Sequence, residues 1–157
     1  MDHDLFYDKN PGFMMRRLQQ VSTALYIRSL KEFDLTPLQY TILNIVNSAK
    51  SIDQISIARI SILDTSTVRD IIERLEAKQL ILRTVGEVDR RTRKVTITKA
   101  GVAVLEAARP SVEEARTKLL EPLTARECET LMSIVEKVVS AHEATLNFER
   151  DRDIWRR

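Results

Sequence analysis

Cysteine is nearly missing from this chain. Its 157 residues include one, Cys128, so no internal disulfide framework can form. The two histidines, His3 and His142, lie far apart in sequence, and with a single thiol they do not compose a zinc cluster. Glycine (3) and proline (4) are scarce, which leaves few turns and many helix formers and predicts a mainly α protein. No run approaches the roughly 18 apolar residues that a membrane span needs. The first ten residues, MDHDLFYDKN, are acidic and lack an apolar signal region, so a cytoplasmic protein is expected. There is no phosphate loop, no nucleophile elbow and no His–carboxylate pairing, so neither an enzyme nor a cofactor is expected.

What is present is a local concentration of positive charge. Residues Arg83 to Lys99 hold six Lys/Arg against two acids, a net +4, while the whole chain is only +2. Just before this run, Val68, Ile71, Ile72 and Leu75 follow the spacing of one buried helix face over about Thr65–Lys78. The opposite face carries Thr65, Ser66, Arg69, Asp70 and Arg74. A small polar helix face beside a basic run points to a reader of duplex DNA.

The remaining elements follow from their caps. Asp8 to Gly12 is a turn or helix-start signal, and Phe13 to about Phe33 reads as a long helix. Thr36-Pro37-Leu38-Gln39 is a capping box with proline at the first helical position, opening a helix to about Asn47. Ser51-Ile52-Asp53-Gln54 repeats that grammar before a short helix ending near Ser61 to Leu63. Asp64 is placed to cap the next helix through the amides of Ser66 and Thr67. Leu80 to Val85 and Arg93 to Ile97 read as strands flanking an exposed loop, Gly86 to Thr92. Thr98 caps a helix that runs to Leu119 or Leu120 and is expected to bend at Pro110; Thr124 to Glu127 boxes a last helix to about Phe148.

The order helix, helix, helix, hairpin is that of a winged helix-turn-helix. It divides the chain into residues 1–35, a winged helix-turn-helix over 36–98, and residues 99–157. The long terminal helices carry more apolar surface than such a small domain needs. A helical dimerisation region formed by the N- and C-terminal helices would bury it, and a homodimer would set two reading helices against successive major grooves of a palindromic operator.

The pattern resembles the MarR family of bacterial transcription regulators. The motifs that carry the resemblance are Leu63-Asp64-Thr65-Ser66-Thr67-Val68, Glu73-Arg74-Leu75-Glu76, Asp89-Arg90-Arg91 and Val95-Thr96-Ile97-Thr98-Lys99-Ala100-Gly101. The resemblance implies an obligate dimer through the first and last two helices, a wing containing Asp89-Arg90-Arg91, and control by small aromatic compounds bound between the dimer region and the DNA-binding lobe. Three features depart from the family pattern. Arg69-Asp70 stands where Thr-Arg is common. Gln79 replaces a helix-ending glycine. Ile62 replaces the turn glycine, so that turn is expected to pack differently. Pro11-Gly12, Arg16-Arg17-Leu18-Gln19-Gln20, Leu35-Thr36-Pro37-Leu38-Gln39-Tyr40 and Ile52-Asp53-Gln54 are similar to a subgroup, the nicotinate-pathway repressors, although Phe13 stands where those often have histidine.

The DNA-contacting candidates are thus Thr65, Ser66, Thr67, Arg69, Asp70 and Arg74 on the helix, with Arg90, Arg91 and Arg93 in or beside the wing. Ser66 and Thr67 have capping as their alternative role. Asp70 has three: a cytosine amino group, an internal arginine or solvent. For a small aromatic acid the candidates are Arg16, Arg17, Met14, Tyr26 and Tyr40. The two arginines alternatively cross-link the dimer or touch DNA backbone; the other three alternatively pack the core. Cys128 and His142 are readable as packing groups or as sensors.

Overall fold

The computed structural model describes residues 10–85 and 93–143. Helix α1 (Pro11–Leu30) leads through one 3-10 turn (Lys31–Phe33) to α2 (Pro37–Ala49). A two-residue strand β1 (Ile52–Asp53) precedes α3 (Gln54–Ser61) and α4 (Thr65–Ala77). Strands β2 (Ile81–Val85) and β3 (Arg93–Ile97) lead into α5 (Lys99–Leu120) and α6 (Ala125–Glu143). The three strands form an antiparallel sheet in the order β1-β3-β2, with Ile52 opposite Val95 and Arg83 also opposite Val95 on the other side.

The capping chemistry is largely as expected. Thr36 and Gln39 form a complete box, Oγ1 accepting from the Gln39 amide at 3.2 Å and Oε1 from the Thr36 amide at 3.0 Å. Thr124 and Glu127 do the same, at 3.3 and 2.8 Å. Several boundaries differ. Asn10 caps α1 by accepting from the Phe13 amide, so the helix starts at Pro11 rather than Phe13 and tightens to 3-10 geometry after Leu30. Helix α2 reaches Ala49 instead of Asn47. Helix α5 ends at Leu120, as expected, with Pro110 inside it. The expected α6 end near Phe148 lies outside the described residues.

The box predicted at Ser51 does not form. Ile52 is buried and pairs with Val95, which holds residues 52–53 extended as a third strand. The cap therefore passes to Asp53, whose carboxylate accepts from the Ser56 amide at 2.9 Å. The turn after α3 is also a correction. Ile62 itself adopts the left-handed conformation (φ 54°, ψ 39°) that glycine was expected to supply, and Gln79 does so after α4 (φ 59°). Both turns keep ordinary geometry at the expense of backbone strain.

One core unites these elements. Leu30, Ile42, Leu43, Val46, Ile57, Val68, Ile72, Leu75, Ile81 and Leu105 are fully shielded, drawing on α1 to α5 and the sheet. All four predicted apolar positions of α4 lie in it. By contrast α6 buries no residue among those described and leaves Met132, Ile134, Val135, Val138 and Val139 exposed. Met14, Met15, Leu18, Val21 and Ile27 of α1 are likewise exposed.

Gly101, in the first turn of α5, lies against the start of β2. A Cβ there would stand 2.2 Å from the Leu80 carbonyl oxygen and 2.7 Å from Ile97 Cγ1. Gly101→Ala is therefore expected to lower stability by about 1–3 kcal/mol, read as a lower urea midpoint at unchanged slope. Ile62→Gly and Gln79→Gly are expected to raise stability by about 0.5–1 kcal/mol each, the left-handed cost to an L-residue less glycine's entropy. A lower midpoint for both glycine variants would contradict this account.

Candidate nucleic-acid interface

Helix α4 is held so that one face is core and the other open. Val68, Ile71, Ile72 and Leu75 fix its rotation, which leaves Thr65, Ser66, Arg69, Asp70 and Arg74 exposed and Thr67 half-buried. Its start is capped by Asp64: one carboxylate oxygen accepts from the Thr67 amide at 2.8 Å and from the Ser66 hydroxyl, and the other accepts from the Thr67 hydroxyl at 2.6 Å. These hydrogen bonds, the Ser66 hydroxyl foremost, hold the Asp64 carboxyl well below the usual carboxylate range.

Two residues expected in other roles, Gln54 in a capping box and Arg83 in the basic run, position this helix. Gln54, the first residue of α3, donates its side-chain amide to the Thr65 carbonyl at 3.1 Å. Arg83 of β2 donates Nε to Glu76 Oε2 at 2.7 Å, pairs with that carboxylate again through a terminal nitrogen, and lies 3.8 Å from Glu73. The root of the wing is thus braced on the C-terminal half of α4. The Arg83 hydrogen bond lowers the Glu76 carboxyl, and Glu76 in turn raises the Arg83 guanidinium. The sequence signal was Glu73 and Glu76, three apart on a helix and followed by a strand arginine seven residues on. At the sheet's other side Lys94 lies 3.7 Å from Asp53.

Of the remaining DNA candidates, Arg69 Nε lies 3.9 Å from Asp70 Oδ1 with both side chains about 60% exposed, so the internal arginine is within reach of Asp70 without burying it. Arg74 occupies the last turn of α4, and Arg93 is exposed at the start of β3. Arg90 and Arg91, with Asp89, lie outside the described residues. The α4 residues and Arg93 belong to one helix-and-sheet unit; they are not scattered.

The effector candidates sit elsewhere. Met14, Arg16 and Arg17 are exposed on the first half of α1, and Tyr26 and Tyr40 are half-buried. A cavity of about 240 Å³ opens between α1 and α5, lined by Leu25, Arg28, Ser29, Ser111, Glu114 and Lys118 among others, and by none of those five. Cys128 is partly exposed near the start of α6. His142 is exposed, with Nδ1 3.1 Å from the Val138 carbonyl. Among the described residues no group of three or more His, Cys, Asp or Glu is placed to hold a metal, and no helix is long and apolar enough to cross a membrane.

A polar helix face presented outward from a three-helix core, with a two-stranded wing beside it, defines a winged helix-turn-helix DNA-binding regulator. The MarR family model matches residues 35–92. The chain is 26% identical over 132 residues to the HTH-type transcriptional repressor NicR of Pseudomonas putida, covering 84% of each. Among solved structures it is similar to a MarR variant from E. coli complexed with operator DNA, at 26% identity, with 86% of this chain and 98% of that one covered and a TM-score of 0.80. It is equally similar to the PcaV transcriptional regulator of Streptomyces coelicolor in complex with its natural ligand, at 26% identity, 89% and 99% coverage and a TM-score of 0.81. The chain belongs to the MarR family, and is by that membership a transcription regulator and not an enzyme.

The Arg83 brace has a measurable pH signature. Because the folded Glu76 carboxyl is lowered, its contribution to stability is complete above the ordinary value of 4.5 and is lost as the pH falls below it. Arg83→Met is expected to cost about 1 kcal/mol at pH 7 and to flatten the acid limb of the stability profile. An acid limb of unchanged steepness in the variant would remove Arg83 from the account.

Proposed function

We propose that the protein is a homodimeric repressor that binds a palindromic operator and is released by a small aromatic acid, N-heteroaromatic in class. The observation that carries the DNA half is the outward face of α4: Thr65, Ser66, Arg69 and Asp70 stand exposed at its N-terminal end, directly opposite a fully buried stripe. In a helix-turn-helix that end enters the major groove. Arg69 pairs with guanine O6 and N7, while Arg93, with Arg90 and Arg91, neutralises backbone phosphates or enters the minor groove from the wing. Thr67 and Arg74 complete the set, Thr67 chiefly through its capping role.

The dimer half rests on the bare apolar side chains of α1 and α6, and the segments assigned to it are 1–35 and 99–157. Met132, Val135 and Val139 with Leu18 and Val21 are surface that a second copy would cover. Two α4 helices then fall roughly 34–36 Å apart on one face of the duplex. The effector class rests on likeness. NicR is named a repressor, PcaV is described with its natural ligand, and the Arg16-Arg17 and Leu35–Tyr40 motifs resemble the nicotinate-pathway subgroup. In this reading Arg16 or Arg17 takes the acid's carboxylate by a fork of N–H donors, with Met14, Tyr26 and Tyr40 about the ring. A second reading is regulation without a small effector, through a partner, abundance or Cys128 oxidation. It is favoured by the placing of the five candidates, none of which lines the α1–α5 cavity.

After operator selection from genomic DNA, Arg69→Ala is expected to weaken operator binding about tenfold or more, in line with one lost bidentate base contact, and random DNA much less. Equal losses on both would reject base reading. Arg93→Ala is expected to reduce the salt slope of binding by about one. Release of the operator by N-heteroaromatic acids, weakened in Arg16→Ala or Arg17→Ala, separates the two readings. Release by peroxide that Cys128→Ser abolishes would select the second.

A further inference from the structure

The Asp64 cap does more than start a helix, because it uses both hydroxyls beside it. A hydroxyl has one proton to donate and two lone pairs that accept. Ser66 donates its proton to one oxygen of Asp64, and Thr67 donates its own to the other at 2.6 Å. An ionised carboxylate only accepts, so the sense of both hydrogen bonds is fixed. The same hydrogen bonds keep Asp64 ionised throughout the neutral range. Neither hydroxyl therefore has a proton left for a group outside the protein.

What the exposed start of α4 offers DNA around Ser66 is then a set of acceptors, the remaining lone pairs of Ser66, the outer lone pairs of Asp64 and, one turn on, the Asp70 carboxylate, while the Thr65 hydroxyl beside them is not held by Asp64 and keeps a proton to donate. Phosphate oxygens, guanine O6 and N7 and thymine O4 are themselves acceptors and do not satisfy that set. The donors in the major groove are the exocyclic amino groups, N4 of cytosine and N6 of adenine. Arg69, on the same face and within 3.9 Å of Asp70, is the adjacent donor.

We infer that Asp64 is a positioning residue for base specificity: by holding the Ser66 and Thr67 protons it makes the start of α4 select a base that presents an amino group. The inference rests on α4 being the groove-reading helix. It assigns Ser66 an accepting contact to a base, and excludes the phosphate-donor role that an unrestrained serine would be free to take. Thr67, being half-buried, supports the arrangement from behind.

The full-length protein and its selected operator provide the test. Each adenine of a half-site is replaced in turn by 2-aminopurine, which moves the amino group to the minor groove, and each cytosine by 2-pyrimidinone, which lacks it. Dissociation constants are measured at one salt concentration for the wild type, Asp64→Asn and Ser66→Ala. Asparagine caps a helix about as well as aspartate, but its amide nitrogen donates, which returns one hydroxyl proton to the outside. For the wild type, at least one position per half-site is expected to lose about tenfold on amino deletion. At that position the loss is expected to shrink to about threefold or less in Asp64→Asn and in Ser66→Ala. A general gain in affinity from removing a negative charge cancels in these ratios. A penalty equal in the wild type and both variants, or no sensitive position, overturns the inference. If Arg69→Ala and Ser66→Ala both bind the unmodified operator like the wild type, groove reading by α4 fails instead, and the inference falls with it.

Discussion

The carbonyl of Leu80 is the point on which the DNA-reading half and the long helices depend. It accepts from the Thr98 amide at 3.0 Å and shares the Thr98 hydroxyl with the Gln79 carbonyl, at 3.1 and 2.8 Å. The same hydroxyl accepts from the Gly101 amide at 2.9 Å. Three segments are thus tied in one corner: the end of α4, the root of the wing and the first turn of α5. The approach is close enough that only a residue without a Cβ fits at Gly101. The left-handed turn at Gln79 is what brings Leu80 there, so a strained backbone is offset by a dense local set of hydrogen bonds.

The recognition helix is tethered elsewhere as well. Lys78, just past its end, pairs with the Asp34 carboxylate at 2.9 Å and donates to the Asp34 carbonyl, linking α4 to the corner between α1 and α2. Gln54 holds the first residue, and Arg83 spans Glu73 and Glu76. These hydrogen bonds and ion pairs tie α4 to the α1–α2 corner, to the start of α3 and to the root of the wing. The charge distribution suits this division. Asp64 is occupied as the cap of α4 and Glu73 and Glu76 as the partners of Arg83, which leaves Asp70 as the exposed acid of the helix, while the net positive charge is gathered in the wing.

Much of this was legible in the sequence because it is local. Thr36 with Gln39, Thr124 with Glu127, and Asp64 with Thr67 are caps whose partners lie three residues away, and each forms as read. The stripe of Val68, Ile71, Ile72 and Leu75 is a periodicity of one helix, and all four side chains are buried. The failures are where a distant partner outweighed a local preference. Ser51 and Gln54 spell a box, but Ile52 gains more by pairing with Val95, some forty residues on, than the box would supply. Ile62 and Gln79 take a conformation that costs an L-residue, because the surrounding core fixes where α3 and α4 must end.

The sequence by itself determined the class of protein: the order of elements, the polar face of α4, the basic wing and the long apolar terminal helices all follow from spacing and charge within short windows. Only the tertiary structure decided how the reader is held. That Gln54 meets Thr65, that Arg83 braces Glu76, and that the Ser66 and Thr67 hydroxyls both turn toward Asp64 depends on side-chain directions in three dimensions. A pattern of residue types names which groups can donate or accept; the direction of each hydrogen bond is fixed only when the partners are in place.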